Sequence, residues 1–264
     1  LLNGPMELLL AVPFGLAIGL VVGTVGGGGA ILALPVLVYV LDEPVGPAAT
    51  ASLIVVAMGA SVGAGVHARH GRVCWRIALN FSVPAAVGAY LGTLLGTQIG
   101  AKTLVVAFVP VMLAAAALPL VRSGGDDPDH RGDECPEPSH ARAGLSGLVV
   151  GAMTGLFGVG GGFLIVPALT VLLGLAVHRA VATSLAIITL TGVAALVSHL
   201  VEGAQPNWTL TLALCTAAAA GALAGGSVAG RLEARTLTRA FAAVVGAVAI
   251  GLLIDVLVLG GPPV

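Results

Sequence analysis

The sequence predicts an all-α integral membrane protein made of two inverted five-segment repeats, each containing a glycine-broken helical hairpin. Three observations predict it: a composition that water cannot solvate, a glycine-rich motif that occurs twice, and basic residues that collect on non-equivalent loops of the two halves. Apolar residues make up 58% of the 264-residue chain and charged residues only 9%. A soluble domain carries about 25% charged residues. A chain this poor in charge cannot cover its core against water, so lipid is its solvent. The abundance of glycine, 39 residues, fits helices that approach closely or break.

The apolar segments run roughly 6–24, 29–41, 47–66, 77–98 and 103–121 in the first half. In the second they run roughly 143–157, 161–175, 180–200, 208–229 and 236–259. A full span needs about 20 residues, so the second segment of each half is too short to cross alone. Leu1–Leu20 has no basic n-region and no A-x-A cleavage site, and reads as the first span. Arg122–Arg142, RSGGDDPDHRGDECPEPSHAR, is rich in Pro, Gly and acids and reads as a solvated linker. The expected organisation is a membrane repeat over 1–121, a cytoplasmic linker over 122–142 and a second membrane repeat over 143–264, the two repeats acting as one unit.

Duplication is visible in register. Shifting residues 23–53 by 132 positions places them on 155–185 without a gap. The matched identities include Gly23/Gly155, Gly26/Gly158, Gly28/Gly160, Gly29/Gly161, Pro35/Pro167, Ser52/Ser184 and Leu53/Leu185. The same shift pairs His67 with His199 and Gly71 with Gly203. Shared apolar composition would not hold one register over this length.

Basic residues give the orientation, because they gather on the cytoplasmic side. Arg69, Arg72 and Arg76 lie between segments three and four of the first half, whereas Glu202–Asn207, the equivalent stretch, has none. The following loop reverses this: Lys102 alone in the first half, but Arg231, Arg235 and Arg239 in the second. Placing the Arg69–Arg76 loop in the cytoplasm also brings Arg122, Arg131, Arg142 and Arg179 inside, and leaves both termini outside. Parallel repeats would put equivalent loops on one side and could not produce this split.

The chemistry is carried by GTVGGGGAILALP at Gly23–Pro35 and GLFGVGGGFLIVP at Gly155–Pro167. In each, a helix runs in, breaks at glycines, and a short apolar helix runs back. Twelve residues from Ala30 to Leu41 rise about 18 Å, near half of a ~30 Å hydrocarbon core, so the break is expected at mid-depth. The first N–H groups of a helix have no intrahelical partner and carry the positive end of its dipole. Glycine removes the side chain that would keep a ligand from those amides. Two such helix starts meeting from opposite sides make an anion site of backbone. The expected ligands are Gly26, Gly27, Gly28 and Gly29 with Gly158, Gly160, Gly161 and Gly162. A lone glycine run in a membrane helix usually means only close packing; recurrence in inverted copies, each followed by a proline, favours the site.

These features resemble the sulfite exporter TauE/SafE family of membrane transporters. The resemblance covers essentially the whole chain: its length, the duplicated apolar halves, the polar centre, and G-x-x-G-x-G-G-[AG]-x-L-x-x-P at both 23–35 and 155–167. The Ser-Leu pairs at 52–53 and 184–185 fit it as well, although Thr50-Ala51-Ser52 departs from the Ala182-Thr183-Ser184 order. The resemblance implies transport of a sulfur-containing or organic anion, such as sulfite, a sulfonate or sulfoacetate, across the cytoplasmic membrane.

Other polar residues are weighed against ordinary roles. Ser52, Thr183 and Ser184 lie early in their helices near the breaks and are candidate ligands, although such hydroxyls commonly bond a carbonyl of the preceding turn. Thr189 and Thr191 could line a pathway on the same terms. His67 and His199 are expected at opposite faces, first as headgroup-facing helix ends and second as gating or proton-coupling groups. Arg76 and Arg231 read as snorkelling anchors that could also draw anions to the inner mouth.

Several functions are disfavoured. Of twelve acids only Glu7 and Asp255 fall within the expected spans, each near an outer end, against a carboxylate proton relay or metal-cation carrier. No GxxxxGK[ST] loop and no HExxH occur, so neither ATP hydrolysis nor metalloprotease chemistry is expected. Cys74, Cys135 and Cys215 are far apart and form no CxxC, so neither zinc nor a disulfide framework is expected. A net charge of −1 without a basic patch excludes nucleic acid. No cofactor or metal is called for; the expected partners are a small anion, the bilayer and a candidate coupling proton. The leading expectation is a secondary transporter, ahead of a passive anion channel and well ahead of an intramembrane enzyme.

Overall fold

The computed structural model describes residues 4–96, 101–122, 135–136, 139–157, 162–201 and 206–254. The described residues are all helix and turn. Helix α1 (Gly4–Val25) ends in a 3-10 turn, Gly26–Gly29, and α2 (Ala30–Pro35) returns, widening to a π-helical stretch over Val36–Val40. Then come α3 (Val45–Arg69), α4 (Trp75–Gly96) and α5 (Ala101–Arg122). The second half has α6 (His140–Phe157), α7 (Gly162–Val171), α8 (Val177–Val201), α9 (Trp208–Ala229) and α10 (Ala234–Ile254).

Five of these helices are long and apolar enough to cross a membrane: Gly46–Arg69, Trp75–Leu95, Val177–Ala194, Trp208–Ala229 and Ala234–Gly251. Shorter apolar helices occupy Leu9–Val25, Ala107–Leu118 and Gly162–Val171. The side chains sort as they do in lipid. Leu9, Val83, Leu145 and Leu212 point outward, whereas the interior is largely alanine, glycine and small aliphatics. Trp75 and Trp208 open α4 and α9, each about half exposed, at positions suited to the membrane interface.

The helices of the two halves interlock. Three glycines of α1 lie on α9: a β-carbon at Gly15 would meet Ala217 and Leu214, one at Gly19 would overlap the Ala218 carbonyl, and one at Gly23 would sit 2.9 Å from the Gly226 nitrogen. Gly147, Gly151 and Gly155 of α6 meet Phe81, Ala85 and Ala89 of α4 in the same way. Each stripe is returned by a pair of glycines on the partner, Gly221 and Gly225 on α9, Gly88 and Gly92 on α4. The missing side chains let backbones touch, which is how membrane helices gain van der Waals contact without a hydrophobic drive. Both pairs run parallel. At the centre α3 and α8 cross antiparallel, with Gly63 against Leu185 and Gly192 against Ala57.

The short return helices end alike. Leu41 N–H donates to Val36 O and Glu43 N–H to Leu37 O; 132 positions on, Leu173 donates to Ala168 O and Leu175 to Leu169 O. The turn residue that follows is left-handed in both, Asp42 with φ 54° and Gly174 with φ 71°.

One end of the bundle gathers the starts of α4, α6, α8 and α10. Arg179 Nη1 donates to Gly71 O (3.3 Å), His178 Nε2 lies 2.9 Å from Leu232 O, and Asn80 Nδ2 lies 2.9 Å from His140 Nδ1. At the opposite end Asn207 Nδ2 donates to Glu43 Oε1 (3.0 Å).

One expectation is corrected here. Cys74 and Cys135, 61 residues apart, form a disulfide with Cα atoms 5.8 Å apart; nothing local in the sequence pairs them, because their meeting depends on the tertiary fold. Helix α5 reaches Arg122 and α6 begins at His140. Ser139 sets that start by accepting the Arg142 N–H at 3.3 Å.

Candidate functional site

The Gly26–Gly29 turn packs against α7 and α8 of the other half. Gly26 has φ +75°, which lets the chain turn sharply out of α1. A β-carbon there would stand 2.6 Å from Ser184 Oγ and 3.3 Å from Val166 Cγ2. A β-carbon on Gly27 would fall onto the Gly162 carbonyl. The first-half turn therefore touches the first residue of α7 backbone to backbone. No side chain caps α2, which follows Gly29 directly, whereas α9 is capped by Asn207 Oδ1 accepting from the Leu210 N–H.

Depth follows from α8. Ser184 is seven residues past Val177, about 10 Å from that end of the helix. The Val36–Val40 stretch and Leu41 carry the chain from the turn to the opposite end. Gly26 thus lies inside the bundle and not at its rim. Around it the wall is apolar: Ile31, Phe163 and Val166 are buried, and Phe163 stacks edge-on against Phe108 of α5 at 5.4 Å. Polar groups are few, as in a site that selects by placement of a small number of donors.

The hydroxyls divide by role. Ser184 is fully buried and bonds Val181 O at 2.8 Å, leaving its oxygen facing Gly26. Thr183, equally buried, turns away and accepts the Cys74 N–H at 3.1 Å, tying α8 to the start of α4. Ser52 bonds Ala49 O at 2.8 Å. Thr189 and Thr191 bond carbonyls of the preceding turn, Leu185 O and Ile187 O. Thr24, not singled out in the sequence, is buried in the last turn of α1 and bonds Leu20 O at 2.8 Å.

Gly158, Gly160 and Gly161 lie outside the described residues, as do Asp255 and the side chain of His199. Gly28 lies within the 3-10 turn and Gly162 opens α7. Arg76 and Arg231 are exposed at the basic end.

His67 departs from expectation. Placed by sequence among headgroups, it is 1% exposed, and neither Nδ1 nor Nε2 has a hydrogen-bond partner. Burial follows from the overshoot of α3, which continues to Arg69 and so draws residue 67 back between α1 and α9. A buried polar group left unpaired costs about 1–3 kcal/mol.

The family profile described as sulfite exporter TauE/SafE matches residues 11–252. A probable membrane transporter protein of Xylella fastidiosa (strain Temecula1) is 31% identical over 248 residues, covering 92% of this chain and 94% of its own. The probable membrane transporter protein YunE of Bacillus subtilis is 28% identical over 258 residues, 88% of this chain and 92% of its own. A probable membrane transporter protein of Methanocaldococcus jannaschii is 28% identical over 208 residues, 75% of this chain and 76% of its own. No solved structure matches the chain.

Proposed function

The chain belongs to the sulfite exporter TauE/SafE family of membrane transporters, and we propose that it is a secondary carrier of a small sulfur-containing or organic anion. The observation that carries this reading is the meeting of Gly26 and Gly27 with Ser184 and Gly162, groups from opposite halves, inside the bundle.

An anion leaving water loses several kcal/mol of solvation. A hydrogen bond to a charged group returns about 1.5–3 kcal/mol, so three or four well-placed donors are enough. The amides around Gly27–Gly29 and at the start of α7 are donors of that kind, and the Ser184 hydroxyl joins them by turning its proton from Val181 O to the anion. Backbone donors need no reorganisation and suit an oxyanion whose charge is spread over several oxygens.

We read the architecture as an inverted pair acting as one transport domain. Exchanging the halves carries α1 onto α6 and α9 onto α4, so the α1–α9 and α4–α6 contacts are equivalent. The α3–α8 crossing maps onto itself. The recurring glycine stripes, return-helix hydrogen bonds and left-handed turns support this symmetry. Rocking of one interlocked group against the other about the glycine turns would expose the site alternately to each side.

The end bearing Arg69, Arg72, Arg76, Arg142, Arg179, Arg231, Arg235 and Arg239 is assigned to the cytoplasm, with both termini outside. The test is a flux screen in proteoliposomes across sulfite, thiosulfate, taurine, sulfoacetate and simple carboxylates. A carrier saturates with substrate and shows counterflow; flux that rises linearly with concentration and shows no counterflow would replace this reading with a channel.

A further inference from the structure

His67 is a buried titratable group that the glycine site does not itself require. Its imidazole stands on α3 with Nε2 3.8 Å from the position a β-carbon on Gly226 would take. On its other side is the backbone of Gly23, one turn before Gly26. At 1% exposure neither ring nitrogen makes a hydrogen bond of good geometry, and the Gly23 backbone carbonyl is the one acceptor close enough to favour a proton on the ring. The charged and titratable groups that face it are all basic: His70 beyond the end of α3, Arg72 in the α3–α4 turn and His178 in the first turn of α8. Helices α1 and α9 meet it with glycine. Among the described residues, Asp42 and Glu43 lie toward the opposite end of the bundle and Glu233 is exposed in the α9–α10 turn.

We propose that His67 binds the proton that crosses with the anion, making the protein an anion–proton cotransporter. The proposal rests on the anion site described above. An imidazolium away from water needs a negative neighbour, and no described carboxylate supplies one. The anion arriving at the adjacent glycine turns is that neighbour. Proton and anion therefore bind cooperatively, each tightening the other by the same factor. The loaded carrier then buries a compensated pair in place of a bare charge, and the empty carrier buries a neutral ring. Binding of one without the other is penalised, which is the requirement for coupled transport.

The test titrates the purified full-length carrier with sulfoacetate, ionised throughout the pH range used. Calorimetry in two buffers of different ionisation enthalpy counts the protons taken up. About one proton per anion is expected near neutral pH, with affinity rising up to about tenfold per unit of acidification. His67→Gln, which keeps a hydrogen-bonding side chain, is expected to bind with no proton uptake and a flat pH profile. Wild-type binding without proton uptake overturns the proposal, and so does undiminished uptake in His67→Gln. The wild-type count decides by itself if the variant does not fold. If sulfoacetate does not bind, the titration uses the anion that the flux screen selects; binding of none of the screened anions overturns the substrate reading beneath the proposal, and the two failures are thereby distinguished.

Discussion

Gly27 of the first half and Gly162 of the second touch backbone to backbone, so closely that a methyl group on Gly27 would coincide with the Gly162 carbonyl. This contact brings the glycine break of one hairpin against the start of the other's return helix. It makes a glycine at position 27 a requirement of assembly, separate from any requirement of ligand binding.

Gly27→Ala is therefore expected to lose transport and to lower the thermal unfolding temperature of the detergent-solubilised protein, because the turn and α7 must separate. Gly28→Val places bulk in the same turn and is expected to abolish flux while the protein still inserts in the membrane. Flux assays paired with size-exclusion profiles separate these outcomes. Wild-type flux in Gly28→Val would remove the turn from the binding site.

Thr183→Val is expected to act on stability. It removes the acceptor of the Cys74 N–H, leaving a buried donor unpaired at a cost of about 1–3 kcal/mol. Thermal unfolding should shift downward with KM nearly unchanged. A large rise in KM at unchanged stability would return Thr183 to the set of ligands.

Ser184→Ala is expected to do the reverse. The hydroxyl bonds only its own helix at Val181 O among the contacts described, so stability should change little. Anion affinity should fall about tenfold, the worth of one hydrogen bond to a charged group. Equilibrium binding in detergent checks this.

Gly174→Ala is expected to destabilise the protein by about 1–2 kcal/mol, since φ 71° is costly for a residue with a β-carbon. Unfolding measured against the wild type tests it, and no loss would mean that the turn relaxes.

The fold was legible where it is written in local periodicity and repetition. Helix existence, the short return segments and the 132-residue register all follow from apolar runs and from glycines such as Gly26 and Gly158. Partner choice was not legible. Nothing local says that Gly15, Gly19 and Gly23 belong against α9, because that depends on three-dimensional closure. His67 was misjudged because a helix boundary two or three residues further on converts a rim position into a buried one. Thr183 also accepts the Cys74 N–H, a structural task that its place in the sequence does not show. The disulfide was missed because 61 residues separate its cysteines.

That disulfide lies at the basic end, where Arg179 Nη1 approaches Cys135 Sγ at 3.3 Å. Disulfides persist mainly in oxidising compartments, whereas arginines gather in the cytoplasm. The two rules pull in opposite directions at one face. We follow the arginines, because eight residues spread over several loops outweigh one bridge. Membrane-impermeant thiol labelling of cells after reduction is expected to miss Cys74 and Cys135 unless the membrane is opened. Labelling from outside would reverse the assigned orientation while leaving the site unchanged.

The central claim is that backbone donors from both halves hold the anion, and selenite tests it most directly as a heavy stand-in for sulfite. Anomalous diffraction from crystals grown with selenite should show the selenium peak at the Gly26–Gly29 turn, beside its contact with Gly162, with oxygens about 3 Å from amide nitrogens of the turn and of the start of α7. A peak found only among the arginines at the bundle end, with the glycine turns empty, would contradict the account.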